Sequence, residues 1–352
     1  MASDHCVPGE QCLSCEVARS SGGHVATKLL IEAIREGLHQ EMAHDERVMV
    51  LGEDVGQRGG VFRVTDGLLA EFGHMRVIDA PLAESSIIGV AIGAAANGML
   101  PVAEIQFLDF IHPAMNQIMN EAAKTRYRSG GDFECPIVIR APYGGGIHGA
   151  LYHSQSLEAL FTHIPGLKVV APVDPYDAKG LLSTAIHDPD PVLFLEHKRA
   201  YRAVRADVPD ERYTVPLGKA RIVREGSDMT IISYGWYLQE VVQAVDRYTQ
   251  EQQATIEVID LRSLRPLDTT TILESVMKTG KVIIVHEANK FGGLGGEIAA
   301  TIAEEAFGYL DGPIVRVASP EVPAMPYSPP LEKAYLITAD DIRLAIDRLA
   351  AY

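Results

Sequence analysis

RVMVLGED, residues 47–54, is a short run of apolar and β-branched residues that ends in two acids. Runs of the same kind recur downstream as RVID (76–79), PVAEIQF (101–107), PIVIRAP (136–142) and LKVVAP (167–172). Helix-length stretches separate them, which is typical of a parallel sheet covered by helices on both faces. Upstream of the first run, apolar residues recur every four positions from Thr27 onward and predict a helix with one buried face: Leu30, Ile34, Leu38 and Met42.

The alternation is interrupted once, between about 201 and 218, where the sequence is polar and extended and contains Pro209 and Pro216. It restarts with MTIISYG, IEVIDL, KVIIVHE and PIVRVAS, again separated by helix-length stretches. A single core does not grow to the size of a 352-residue chain, so two domains are expected. We predict an α/β fold with two parallel-sheet domains: a flexible tail at 1–24, a first domain at 25–200, a linker at 201–218 and a smaller C-terminal domain at 219–352.

Composition argues against two classes of partner. The chain carries 31 basic and 47 acidic side chains, a formal charge of -16, so general attraction to the phosphates of nucleic acid is excluded. Hydrophobic residues make up 47%, but no apolar run approaches the roughly 20 residues of a membrane-spanning helix, and no membrane association is expected. Four cysteines and the lack of a signal-peptide core predict a cytoplasmic protein.

Three of the cysteines lie in the first 15 residues: Cys6, Cys12 and Cys15. The Cys12 and Cys15 pair, with His5 nearby, offers zinc-binding side chains. Structural zinc sites usually draw two such pairs from separate knuckles, and this segment has one. A mobile tail is the simpler interpretation.

The segment DAPLAESS, residues 79–86, lies between a predicted strand and the apolar helix IIGVAIGAAANG. Ligands of open parallel sheets bind beyond the carboxyl ends of the strands, which makes Glu84 a candidate for chemistry. The alternative is that Glu84 only occupies the first turn of a helix, where the helix dipole favours a carboxylate.

A glycine-rich loop, GGGIHGALYHSQS at 144–156, follows the predicted strand PIVIRAP. Its glycines free the backbone to approach a ligand, and it brings two titratable side chains, His148 and His153. Either histidine taken alone is also compatible with a structural role.

Two further segments have weaker signals. FGGLGGEIA, residues 291–299, imitates a dinucleotide-binding turn, but Ile298 stands where a small residue is needed, which favours a tight turn or an anion contact. HDPDP, residues 187–191, offers oxygen ligands for a hard cation, but a solvated Asp-Pro turn is the favoured interpretation. The sequence contains no P-loop, HExxH or GxSxG pattern.

Taken together, VMVLGEDVGQRGGVFR, APLAES, AEIQF, NEAAKTRYRSGG, HGALYHSQS, DLRSLRPLD and HEANKFGGLGGEIA resemble the beta subunits of 2-oxoacid dehydrogenase first components, which are transketolase-like thiamine diphosphate enzymes. The resemblance runs from about Val25 to the C-terminus. It implies a pyrimidine-binding domain followed by a transketolase C-terminal domain. HGALYHSQS and AEIQFLDF are most similar to the branched-chain type. A pyruvate- or acetoin-specific subunit is the alternative within the class, and a non-catalytic scaffold subunit is the alternative outside it.

The resemblance also implies roles for individual residues. Glu84 would hydrogen-bond the aminopyrimidine ring of thiamine diphosphate and Phe110 would pack on that ring, with Leu82 and Gln106 close by. His153 would bind the substrate acid and move protons. Ser86, where many relatives carry glycine, is a departure that affects local backbone geometry.

The remaining implied residues are His148, as a neighbour of His153 at the substrate, and four residues around a structural potassium-type cation: Ile137, Ala185, Asp188 and Asp190. The GlyAspGly motif that binds magnesium and the diphosphate has no match, because Gly131 and Asp132 are followed by Phe133. The resemblance therefore implies an alpha subunit that supplies it, in an alpha2beta2 heterotetramer. It further implies oxidative decarboxylation of branched-chain 2-oxoacids, with acyl transfer to lipoyl groups of an acyltransferase second component.

Overall fold

A computed structural model describes residues 24–352 of the chain. The predicted zinc-type segment with Cys6, Cys12 and Cys15 lies outside the described residues. The described strands are, in chain order, β1 (Val25–Leu29), β2 (Val48–Gly52), β3 (Val77–Asp79), β4 (Leu100–Glu104), β5 (Val138–Tyr143), β6 (Lys168–Val170), β7 (Val192–His197), β8 (Arg205–Pro209), β9 (Arg221–Arg224), β10 (Met229–Ser233), β11 (Ile256–Asp260), β12 (Ser263–Arg265), β13 (Val282–Asn289) and β14 (Val315–Ser319).

The described α-helices are α1 (Leu30–His44), α2 (Leu68–Phe72), α3 (Glu84–Ala96), α4 (Thr125–Arg128), α5 (Glu158–Thr162), α6 (Pro175–Ile186), α7 (Tyr237–Glu251), α8 (Thr269–Thr279), α9 (Leu294–Glu305), α10 (Pro329–Tyr335) and α11 (Ala339–Ala350). Several begin or end where elementary capping rules predict. Asp174 accepts the amide of Tyr176 at 2.8 Å at the start of α6. Gly280 ends α8 with a left-handed backbone, φ +67°, which glycine adopts without steric cost.

Two sheets form the two domains. The first has the strand order β12-β6-β7-β5-β4-β2-β3 and the second has the order β14-β13-β10-β11-β9. All neighbours are parallel except β12 beside β6 and β9 beside β11. Both sheets carry helices on their faces, and the predicted α/β class with two parallel-sheet domains is confirmed.

The predicted opening helix is present, and its four apolar positions, Leu30, Ile34, Leu38 and Met42, are all buried. It begins three residues later than Thr27, because residues 25–29 form β1. β1 pairs antiparallel with β8, which lies inside the segment predicted to be an extended linker. The domain boundaries themselves stay a prediction.

Besides β1 and β8, three strands were not predicted from the sequence: β7, β9 and β12. β7 occupies the middle of the first sheet, between β6 and β5, and all six of its residues are buried. β12 follows β11 of the second sheet but pairs with β6 of the first, so it joins the two domains through backbone hydrogen bonds. It has only three residues, which is too short for a periodicity to be recognised. Within residues 24–352, no helix is both long enough and apolar enough to cross a membrane.

Candidate active site

The candidate residues lie where the strands of the first sheet end. Gly52, Asp79 and Glu104 are at the same level, because Gly52 pairs with both of the others. The segment after β3 leads to Glu84, which is the first residue of α3 and is half-buried. In a parallel sheet this edge is the usual place for a ligand.

Glu84 has a second carboxyl group near it. Burial raises the pKa of Glu53, which follows β2, and the charges of Asp54 and Glu84 raise it further. Gln106, which follows β4, donates a hydrogen bond from Nε2 to the carbonyl oxygen of Glu53 at 3.4 Å. Leu82 is 73% exposed and extends from the same rim. Glu84, Leu82 and Gln106 therefore lie in segments that follow β3 and β4 at the same edge of the first sheet.

An aromatic cluster adjoins this edge. The ring of His153 meets Phe107 edge-on, with centroids 4.6 Å apart, and meets Phe110 at 5.3 Å. Phe107 and Phe110 are 5.4 Å apart. Phe62 contacts Phe107 on another side at 5.4 Å. Phe110 and His153 are each half-buried, so each keeps a surface on which a ligand can pack.

Asp109 holds the C-terminal end of the glycine-rich loop 144–156, which contains His148 and His153 and is called the histidine loop below. Oδ1 of Asp109 accepts the backbone N–H groups of Ser154 at 3.2 Å and Gln155 at 3.1 Å, directly after His153. Asp109 is buried, as is Lys198, whose Nζ lies 5.6 Å from the centroid of the Phe107 ring. Burial lowers the pKa of Lys198 to about 8, against the opposing effect of Asp109 and Glu287.

His148 lies in a different environment. Its Nδ1 pairs with Oε2 of Glu332 at 2.6 Å, and Glu332 belongs to α10 of the C-terminal domain. The side chain of His148 is 54% exposed. The structure therefore brings His153 against Phe110 but directs His148 toward the second domain.

The residues implied for a potassium-type site already have partners within the protein. Lys168 Nζ is 2.5 Å from Asp188 Oδ1, and Arg126 lies 3.2 Å from Asp190 Oδ2. The carbonyl oxygens of Ile137 and Ala185 accept the amides of Val192 and Asp188 at 2.9 and 3.3 Å. Side-chain cations thus contact both carboxylates, while the carbonyl oxygens of Ile137 and Ala185 each keep a second lone pair for a further partner, and the cation site stays a prediction. Among residues 24–352, no group of three or more His, Cys, Asp or Glu side chains is arranged to hold a metal ion.

A buried charged network that sequence reasoning missed crosses the sheet behind the site. Arg140 of β5 donates to Glu196 of β7 at 2.6 and 2.7 Å and to Glu104 of β4 at 2.5 Å. All three are buried. Burial lowers the pKa of Arg140, but the charges of Glu196 and Glu104 have the larger effect and raise the pKa of Arg140 above its ordinary value. The available signal was a single arginine in the otherwise apolar run PIVIRAP.

Comparison with known proteins agrees with this geometry. Residues 28–204 match the family described as "Transketolase, pyrimidine binding domain" and residues 218–342 match "Transketolase, C-terminal domain". The 2-oxoisovalerate dehydrogenase subunit beta of Bacillus subtilis (strain 168) is 54% identical over 322 residues, which cover 92% of this chain and 98% of that protein. The pyruvate dehydrogenase E1 component subunit beta of the same organism is 48% identical over 304 residues, covering 86% of this chain and 93% of that protein.

Solved structures agree at the level of the fold. A split-gene transketolase, described as an inactive beta4 tetramer, has a TM-score of 0.75 at 24% identity and covers 94% of this chain and 99% of its own. Transketolase from Leishmania mexicana has a TM-score of 0.66 at 17% identity over 94% of this chain and 46% of its own. This chain has the two-domain transketolase architecture. It belongs to the transketolase-like family of thiamine diphosphate enzymes, among the beta subunits of 2-oxoacid dehydrogenase first components, and the predicted resemblance is confirmed.

Proposed function

We propose that this chain supplies the acid-base half of the active site of a branched-chain 2-oxoacid dehydrogenase first component. The reaction is the thiamine-diphosphate-dependent oxidative decarboxylation of a 2-oxoacid, with transfer of the acyl group to a lipoyl group of the second component. The observation that carries the proposal is the placement of Glu84 at the carboxyl-end edge of the first sheet, beside the segments that lead to Phe110 and His153.

Thiamine diphosphate, when bound, supplies a nucleophilic carbon that attacks the keto group of the substrate. Glu84 would share a proton with a nitrogen of its pyrimidine ring, which requires an ionisable side chain at that position. The half-buried ring of Phe110 offers an apolar face for the pyrimidine, and the exposed Leu82 offers a second apolar contact. The residues present therefore fit the pyrimidine half of the coenzyme.

His153 is proposed to hold the carboxylate of the 2-oxoacid and to exchange a proton during turnover. Its ring is oriented on two sides by Phe107 and Phe110, and its backbone is fixed because Asp109 accepts the next two amides. Such support keeps a catalytic side chain in place before the substrate arrives. His148 is proposed to lie next to His153 at the substrate, with its Nδ1 paired to Oε2 of Glu332.

The partner is proposed to be an alpha subunit that carries the magnesium and diphosphate ligands, because this sequence lacks the GlyAspGly motif. The two chains would assemble as an alpha2beta2 heterotetramer with the coenzyme between them, and the second component would be a lipoyl-bearing acyltransferase. We also propose a cytoplasmic location, on the basis of the few cysteines. A potassium-type ion near Ile137, Ala185, Asp188 and Asp190 would be held by backbone carbonyl oxygens, since Lys168 and Arg126 already pair with the carboxylates of Asp188 and Asp190.

Branched-chain specificity rests on the similarity of the histidine loop and on the 54% identity to a relative named for 2-oxoisovalerate. The pyruvate-type relatives, at 46–50% identity, favour the second candidate substrate less strongly. A few methyl groups in an apolar pocket change the barrier by about 1 to 3 kcal/mol, so a graded preference is expected.

The test compares the chain alone with the chain coexpressed with its alpha partner. Calorimetry should show poor thiamine diphosphate binding by the isolated chain and magnesium-dependent binding by the pair. The pair should decarboxylate 2-oxoisovalerate with a higher kcat/KM than pyruvate. Tight binding by this chain alone would contradict the split site, and no decarboxylation in either preparation would favour the scaffold alternative.

A further inference from the structure

Two carboxylates of the C-terminal domain contact the glycine end of the histidine loop. Oε1 of Glu332, in α10, accepts the backbone N–H groups of Gly146 and His148, both at 3.1 Å, and Oε2 pairs with the ring of His148. Oε1 of Glu287, in β13, accepts the N–H of Gly145 at 2.5 Å, while Oε2 pairs with Nε2 of His197 at 2.7 Å. The other domain thus accepts three backbone amides of the loop, those of Gly145, Gly146 and His148, and also pairs with the His148 ring.

Both carboxyl groups are removed from solvent, since Glu332 is 2% exposed and Glu287 is 5% exposed. A buried carboxylate is costly unless hydrogen bonds or opposite charges satisfy it. Burial would raise the pKa of Glu287, but His197 and the amide of Gly145 outweigh burial and lower it. The loop amides are therefore among the groups that make these buried carboxylates tolerable, and removing a carboxylate frees the loop.

The loop backbone is held in an unfavourable conformation. His148 and Ala150 have positive φ values of 58° and 54°, which non-glycine residues rarely adopt. Such conformations persist only where surrounding contacts determine them. Gly144 is similarly confined, because a Cβ at this residue would come within 2.2 Å of Nε2 of His197. The contacts from the C-terminal domain are placed to maintain this strain.

The opposite end of the loop is anchored within the first domain. Asp109 accepts the amides of Ser154 and Gln155, and the Gly144 amide donates to the carbonyl of Gln155 at 3.2 Å. The two ends of the loop are therefore hydrogen-bonded to each other. Through this hydrogen bond a displacement at Gly144 would reach Gln155, two residues after His153.

We propose that Glu332, together with Glu287, is a positioning residue for His153. The C-terminal domain holds the glycine end of the loop in its strained conformation, and this keeps the ring of His153 against Phe107 and Phe110. This inference rests on the proposed role of His153 in 2-oxoacid turnover. It gives the C-terminal domain a part in the chemistry through the loop, although neither carboxylate contacts the reacting atoms.

The test uses the enzyme assembled with its alpha partner and compares Glu332→Ala with Glu332→Gln. Alanine removes every contact to the loop, whereas glutamine keeps an oxygen that accepts the two amides. Misplacement of a catalytic group by about 1 Å costs up to about a hundredfold in rate. We expect Glu332→Ala to lower kcat with 2-oxoisovalerate at least about tenfold, and Glu332→Gln to recover most of the loss. Glu304→Ala, at an exposed glutamate in α9 of the same domain, is the matched control and should not change kcat.

Hydrogen exchange of the backbone amides in residues 145–155 provides a readout that does not depend on activity. Glu332→Ala should accelerate exchange at Ser154 and Gln155 as well as at Gly146, whereas Glu332→Gln should not. Unchanged protection at Ser154 and Gln155, or a lower melting temperature with unchanged kcat, would overturn the inference. If the wild-type complex fails to turn over any 2-oxoacid, the proposed function is wrong, and the exchange measurement still decides whether Glu332 controls the loop.

Discussion

Glu158→Gln is expected to stabilise the protein in a way that depends on pH. Glu158 is the first residue of α5 and is fully buried. Its Oε1 accepts a hydrogen bond from the hydroxyl of Tyr234, in the other domain, at 2.7 Å. Its Oε2 has no hydrogen-bond partner within residues 24–352. Burial raises the pKa of this carboxyl from 4.5 to about 7, and the charge of Glu287 adds to the effect.

The sign follows from proton linkage. Between pH 4.5 and about 7 the folded protein holds a proton at Glu158 that the unfolded chain has released, so the free energy of unfolding falls as pH rises through this window. At about 1.4 kcal/mol for each pH unit, the full penalty above pH 7 is about 3 kcal/mol. Glutamine has the size of the protonated acid, still accepts from Tyr234 and, like the protonated acid, leaves a donor without an acceptor at the Oε2 position, so it removes the pH-dependent penalty without removing the hydrogen bond.

The assay is thermal melting of wild type and Glu158→Gln between pH 4.5 and 8.5, with the difference between the two curves as the result. The melting temperatures should coincide near pH 4.5 and separate by about 5 °C in favour of the variant above pH 7, given the large unfolding entropy of a chain of this length. A difference in melting temperature that is independent of pH, or a variant that is less stable at pH 8, would refute the assignment of a buried carboxyl with a raised pKa at Glu158.

Two further predictions concern His153 in the aromatic cluster and Lys198, the buried cation near the Phe107 ring. His153→Ala should retain assembly and coenzyme binding but lose turnover of 2-oxoacid; a lowered melting temperature with unchanged turnover would instead indicate a structural histidine. Lys198→Met should stabilise the protein by about 2 to 3 kcal/mol at pH 7, because burial lowers the pKa of the folded-state ammonium to about 8 from its ordinary 10.5. In denaturant unfolding this advantage should shrink as pH rises from 8 to 10.5, because in this window the folded protein has released the proton that the unfolded chain still holds, so wild type gains stability as pH rises. An advantage that stays constant over this range would contradict the prediction.

The periodicity of apolar residues predicted the opening helix and most strands of the two sheets, but β7 and β12 were missed for physical reasons. The four-residue spacing of Leu30 to Met42 indicated a buried helix face, and those side chains are buried. β7 was missed because its run VLFLEH begins with four apolar residues in a row, and periodicity alone does not separate such a buried strand from a buried helix segment. β12 depends on a partner strand in the other domain, which no local pattern encodes.

The candidate site was predicted in part. The position of Glu84 after a short strand and before an apolar helix indicated the carboxyl-end edge, and it lies there. The directions of His148 and His153 were not predictable, because Gly149 and the positive φ values of His148 and Ala150 remove any fixed periodicity. Asp109 and Lys198 were missed because their importance arises from burial and from contacts with distant segments.

The central claim, that this chain contributes the acid-base group of a split thiamine site, is tested most directly at Glu84. In complexes saturated with coenzyme, the rate of proton exchange at C2 of thiamine is measured by quenched NMR for wild type and Glu84→Gln. Glutamine keeps the size of the side chain but cannot share an ionisable proton, and loss of such a contact typically costs 10² to 10⁴-fold. We predict at least a hundredfold slower exchange in a complex that stays folded. If Glu84 merely occupies the first turn of α3, the substitution should cost less than about 1 kcal/mol of stability and leave exchange at the wild-type rate, which would contradict the account.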